Sequence, residues 1–92
     1  MVCKRVLLSG KVQGVSFRFH AYEMASKLKI TGWVRNNPDG RVEMLVCGEA
    51  KDVDDMIKWA RKGPALAKVE KVEITDNAPA PEQDEPFYIR RD

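Results

Sequence analysis

Apolar residues recur along this chain in two rhythms, one of period two and one of three to four. Val6 and Leu8 share one face of a strand predicted over residues 4–9, with Val12 in continuation. Gly10 and Gly14 bracket a tight passage out of that strand. Phe17, Ala21, Met24, Ala25 and Leu28 then follow at i, i+4, i+7, i+8 and i+11, which makes one apolar helix stripe. Thr31-Gly32-Trp33-Val34 opens a second strand, and Asn37-Pro38-Asp39-Gly40 is a hairpin turn. Val42, Met44 and Val46 give a third strand, antiparallel to the second. Val53, Met56, Ile57 and Ala60 predict a second helix, stopped by Gly63-Pro64. Val72 and Ile74 fit a fourth strand, and Phe87-Tyr88-Ile89 a short terminal one. The order is βαββαβ. It predicts an α+β, ferredoxin-like α/β sandwich: an antiparallel sheet with two helices on one face.

Composition narrows the class. Ninety-two residues predict one domain, spanning 1–92. Hydrophobic residues at 43% and charged ones at 33% are the balance of a folded globule rather than a disordered chain. No apolar run approaches the roughly 20 residues of a membrane span. Met1-Val2-Cys3-Lys4-Arg5 leads straight into strand-like sequence without a signal-peptide core, so the expected compartment is the cytoplasm. Sixteen Lys and Arg against 14 Asp and Glu, interleaved, do not concentrate a basic face for nucleic acid. Two cysteines and one histidine without metal-ligand spacing argue against a metal site, and no cofactor is expected. Asp76 to Pro86 is acidic, carries Pro79, Pro81 and Pro86, and reads as a solvated connecting loop.

Candidate chemistry is concentrated in Gly10-Lys11-Val12-Gln13-Gly14-Val15-Ser16-Phe17-Arg18. A strand here meets a helix N-terminus, where unpaired amides and the helix dipole favour an anion. Gly14 permits backbone angles that let successive amides turn inward. Arg18, in the first turn, adds a planar, permanently charged fork suited to phosphate oxygens. A pair of glycines alone is equally compatible with an ordinary tight turn. Asn36 ends the second strand, where its amide offers a donor and an acceptor to a water. Asn37, beside the proline, is the better candidate for supporting the turn.

The pattern Gly10-x-Val12-Gln13-Gly14-Val15-x-Phe17-Arg18, followed by Gly32-Trp33-Val34-x-Asn36-x-x-x-Gly40-x-Val42-Glu43, resembles the acylphosphatase family. The resemblance continues through Gly63-Pro64, Val69 and Phe87 to Ile89, nearly the whole chain. It implies the same ferredoxin-like fold and the metal-free hydrolysis of an acyl phosphate, a mixed anhydride, to a carboxylate and inorganic phosphate. Carried onto this sequence, it implies that Arg18 and the amides of Gln13, Gly14, Val15, Ser16, Phe17 and Arg18 bind the phosphoryl group. Asn36 would orient the attacking water. Phosphoryl transfer is mostly positioning and charge stabilisation, and a carboxylate leaves without a general acid. The implied partners are a small-molecule acyl phosphate and inorganic phosphate as product, with no nucleic acid, no membrane, and a monomeric chain. Lys29 departs from the family, which usually has glycine there, so the helix end is expected to need either a strained left-handed residue or a shifted cap.

Other residues read more plainly. Ser16 lacks a Gly-x-Ser-x-Gly elbow, and Cys47 has Val53 six positions on, where a thiol phosphatase needs arginine. Asp52-Val53-Asp54-Asp55 fits a helix start, where acids complement the dipole. His20 falls off the apolar stripe, and Trp33 and Trp59 read as core or partial core. Strands one and three of this fold are antiparallel neighbours, which brings Cys3 near Cys47. A disulfide is then geometrically possible, but a reducing cytoplasm favours two thiols. The rival reading is a non-catalytic phosphate- or RNA-binding module; the predicted central strands carry no aromatic residue for stacking bases.

Overall fold

Seven elements follow one another: β1 (Val2–Lys11), α1 (Phe17–Leu28), β2 (Thr31–Asn36), β3 (Val42–Gly48), α2 (Ala50–Lys62), β4 (Lys68–Thr75) and β5 (Tyr88–Ile89). The structure, a computed structural model, describes residues 1–81 and 85–91. The middle of the acidic stretch expected between the last two strands, residues 82–84, lies outside the described residues.

The sheet order is β4-β1-β3-β2-β5. β3 is antiparallel to both β1 and β2, and β4 is antiparallel to β1. β1 and β2 therefore run the same way with β3 between them, joined by α1. β3 and β4 do likewise with β1 between them, joined by α2. This is the interleaved pair of βαβ units expected from the hydrophobic rhythm. Val6, Leu8, Val34, Val42, Met44 and Val46 form the sheet's side of the main core. Phe17, Ala21 and Ala25 of α1 and Val53, Met56, Ile57 and Ala60 of α2 close over it. Met24 and Leu28, the rest of the expected α1 stripe, are half-buried at its margin.

Two features depart from the expected sandwich. β5 lies parallel to β2, with Trp33 opposite Tyr88 and Val34 opposite Ile89, so the five-stranded sheet is mixed. β4 and β5 occupy opposite edges of the sheet and run opposite ways, so the link between them crosses its width and brings β5 in alongside β2 in the same direction. The second departure follows from the first. Ala78, expected in a solvated loop, is buried on the face away from the helices, where its N–H donates to the Cys3 carbonyl at 3.0 Å. Cys3, Leu45, Cys47 and Ala78 form a small second core there, with Trp33 packed against it. Glu43 is also buried on that face, neutralised by Arg5 of the neighbouring strand.

Cys3 and Cys47 stand directly opposite in the β1–β3 register, with Cα atoms 4.1 Å apart, and they are joined as a disulfide. The two free thiols expected from the compartment are thus replaced by a bond that the register places within reach.

The end of α1 bears out the reading of Lys29. Lys29 is left-handed at φ 56°, ψ 39°; its N–H reaches the Ser26 carbonyl at 3.4 Å, and that of Ile30 reaches Ala25 at 2.9 Å. This is a Schellman closure with lysine where glycine is favoured. A side chain in that region costs about 1 kcal/mol or more, partly offset by the greater unfolded-chain freedom of glycine. Lys29→Gly is expected to raise stability by about 0.5–1 kcal/mol. A urea midpoint that moves up with an unchanged slope is the expected reading; an unmoved or lower midpoint contradicts it.

Candidate active site

Because β1, β2 and β5 run the same way, their carboxyl ends meet at one end of the sheet, beside the N-terminus of α1. Each contributes. From β1 the chain passes through a bulge at Ser9/Gly10 and a close turn in which Val12 N–H bonds the Gly10 carbonyl at 3.1 Å. A Cβ on Gly10 would lie 2.3 Å from the Lys68 carbonyl, so this glycine serves the approach of β4 rather than a ligand. Gly14 takes φ 74°, and Ser16 takes φ 61° as the residue capping α1. A serine held left-handed is the kind of backbone strain that accumulates at functional sites. Its hydroxyl makes no cap to the helix, and the first turn of α1 holds no acidic residue. The helix N-terminus is thereby left open to an anion.

Gly14, Ser16, Phe17, Arg18 and Asn36 line one cavity of about 480 Å³. The remaining wall is Val12, Phe19, Ile89 and Arg91. An adjoining recess is bounded by Arg18, Asn36, Asn37, Pro38, Arg90 and Arg91. Two residues expected at the site do not line it. Val15 is buried in the core, and the Gln13 side chain turns to the hairpin, where Nε2 donates to the carbonyls of Asn37 at 2.8 Å and Arg41 at 3.0 Å. Phe17 joins the core through its ring, which packs 5.3 Å from that of Trp59. Only the main chain of Phe17, Gln13 and Val15 is available for the binding duty expected of them.

Asn36 Oδ1 is buried and has no hydrogen-bond partner among the described residues. Such a group requires one, because desolvation without replacement is unfavourable by about 1–3 kcal/mol. Asn37 does not play the part expected of its side chain, whose Oδ1 is likewise unpaired. The turn is closed instead by Asn37 N–H to the Arg41 carbonyl at 2.8 Å and by Asp39, whose carboxylate accepts from Arg41 N–H at 3.0 Å and Nε at 2.9 Å. Those bonds to Arg41 hold the Asp39 carboxyl below the usual carboxylate range and raise the guanidinium in return.

Arg91, Arg90, Ile89 and Phe19 were not expected at the site. The two arginines follow β5, and only its parallel seat beside β2 carries them to Asn36; Arg90 also lies 4.3 Å over the Trp33 ring. Phe19 had a legible signal, being a large apolar residue off the α1 stripe and next to Arg18. Among the described residues, no cluster of three or more His, Cys, Asp and Glu is placed to hold a metal ion. No helix among them is long and apolar enough to cross a membrane.

Fold and site together define a ferredoxin-like sandwich with an arginine-lined cavity at one end of its sheet. The family model described as Acylphosphatase matches residues 4–89. An acylphosphatase of Methylococcus capsulatus is 47% identical over 87 residues, which cover 95% of this chain and 94% of that one. The crystal structure of acylphosphatase from Bacillus subtilis superposes with a TM-score of 0.90 at 33% identity, over 98% of this chain and 99% of that one. Full-length HypF, solved in its phosphate- and nucleotide-bound form, matches with a TM-score of 0.87 at 26% identity over 99% of this chain, but only 12% of its own length. The chain belongs to the acylphosphatase family, and it is accordingly a hydrolase acting on acid anhydrides.

Proposed function

We propose that the cavity hydrolyses acyl phosphates with Arg18 and the loop amides on the phosphoryl group and Asn36 on the water. The observation that carries this reading is the meeting of a permanent cation and a buried, unpartnered amide oxygen on one cavity wall. The amides of residues 13–18 and the Arg18 fork take the equatorial phosphoryl oxygens, where charge is greatest in the transition state. Asn36 Oδ1 accepts a hydrogen bond from water, and this aims a lone pair at phosphorus. The water oxygen forms the new P–O bond as the bond to the acyl oxygen breaks, and the carboxylate leaves with that electron pair. None of the described residues lining the cavity and its recess is Asp, Glu or His, and in this reading the water's proton passes to a phosphoryl oxygen. The carboxylate needs no proton on leaving and no metal is required.

Asn36→Ala is expected to lower kcat for benzoyl phosphate by about 10²-fold in EDTA. Inhibition by inorganic phosphate should stay within about twofold of the parent's. Near-parent turnover in that variant would sink the water-positioning role. A parent that binds phosphate yet turns over no acyl phosphate would favour a recognition module. Cytoplasmic placement and a monomeric state belong to the same proposal. Fractionation of cells reads the first, and sedimentation the second.

A further inference from the structure

Phe19 is 53% exposed, follows Arg18 in the first turn of α1, and lines the same cavity. Its position is not idle. The ring meets His20 edge-on at 5.6 Å, and His20 Nδ1–H donates to the Ser16 carbonyl at 3.0 Å, which braces the pair against the loop. Ile89 brings a second apolar surface to the cavity from β5. Tyr22, the next exposed aromatic on α1, stands outside it.

The reading above engages Arg18 and the loop for phosphoryl oxygens and Asn36 for water, and it leaves the apolar wall of Phe19 and Ile89 without a part. At about 480 Å³ the space falls within the range that holds small organic ligands, roughly 300–1,000 Å³. An exposed ring beside a charged anion site, continuous with it, fits the carbon portion of a substrate whose other end is phosphoryl. We propose that Phe19 and Ile89 form an acyl subsite that selects acyl phosphates with an aromatic or bulky hydrocarbon acyl group over those with a small one. This inference rests on placing the phosphoryl end at Arg18. Offset or edge-on contact between Phe19 and an aryl acyl group supplies the selectivity, and acetyl phosphate is too small to gain it.

The test compares kcat/KM for benzoyl phosphate with that for acetyl phosphate. Phe19→Ala is expected to lower this ratio about tenfold, through a raised KM for benzoyl phosphate. Phe19→Tyr should keep the ratio within about twofold of the parent's, and so should Tyr22→Ala. Alanine is a better helix former than phenylalanine, and a circular dichroism melt verifies that the variant is folded. A ratio that holds in Phe19→Ala, or a proportionate loss on both substrates, overturns the subsite. Arg18→Gln in the same assay should depress both substrates and weaken inhibition by inorganic phosphate. If it does neither, the phosphoryl assignment fails, and the acyl subsite falls with it.

Discussion

Arg18→Gln is expected to lower kcat/KM for benzoyl phosphate by about 10³-fold or more, through a lower kcat and a raised KM. Glutamine keeps a polar side chain of similar reach but has neither the charge nor the five-donor fork. Ground-state phosphate binding loses a charge-assisted pair, and the transition state loses more, because its equatorial oxygens gather charge as the acyl bond opens. Removing a single neutral donor from an oxyanion site already lowers rates by about 10²–10³, and arginines at phosphoryl transition states contribute about 10³–10⁵. Arg91 on the same wall does not replace the lost group, since it is carried by the chain after β5 rather than by the helix that faces the loop. Arg18→Lys, with the charge but not the fork, should fall between parent and Arg18→Gln. Steady-state kinetics with phosphate as competitive inhibitor decide the matter. A variant with parent-like phosphate inhibition would show that the cation does not touch the phosphoryl group.

Breaking the Cys3–Cys47 bond should be the largest loss of stability available in the second core, on the face away from the helices. The two cysteines lie 44 residues apart in sequence, and closing a loop of that length restricts the unfolded chain. The loop-entropy estimate is about 4 kcal/mol, within a usual range of about 2–4 kcal/mol for native bridges. For a domain of this size that corresponds to a midpoint lower by more than about 10 °C. Thermal melts with and without reductant, together with the Cys3→Ala/Cys47→Ala double variant, measure it. Parent protein should melt lower in reductant, and the double variant should melt low in both. Coincident parent melts would exclude a structural bridge. The bond spans the start of β1 and the end of β3, whereas the cavity opens at the other end of β1. Inhibition by phosphate at 20 °C should therefore survive reduction.

The parts of this fold legible in sequence are those in which a local rhythm and a local signal agree. The α2 positions Val53, Met56, Ile57 and Ala60 are all buried as their spacing requires, and Gly63 ends the helix. Asn37–Gly40 closes the hairpin, although through Asp39 rather than the asparagine side chain. What escaped was long-range. Nothing in Phe87-Tyr88-Ile89 distinguishes a parallel seat beside β2 from an antiparallel one, because the choice is made by which edges β4 and β5 occupy. The same crossing buries Ala78, whose neighbours in sequence are polar or proline. Arg91 reached the cavity by that route too, so no motif foretold it. Arg18 and Asn36 were legible because each sits where a regular element ends, and element ends are what sequence patterns mark best.

The two hydrogen bonds from Gln13 to the hairpin carbonyls have a kinetic meaning. They fasten the segment proposed to cradle the phosphoryl group to the hairpin that follows Asn36, so the two halves of the cavity are tied together before any substrate arrives. Many phosphoryl-transfer proteins gather such halves only when a lid shuts, and lid motion then limits their turnover. Here the ordering entropy is met once, when the chain folds, rather than in each cycle. Turnover of this chain is therefore expected not to wait on a closing lid.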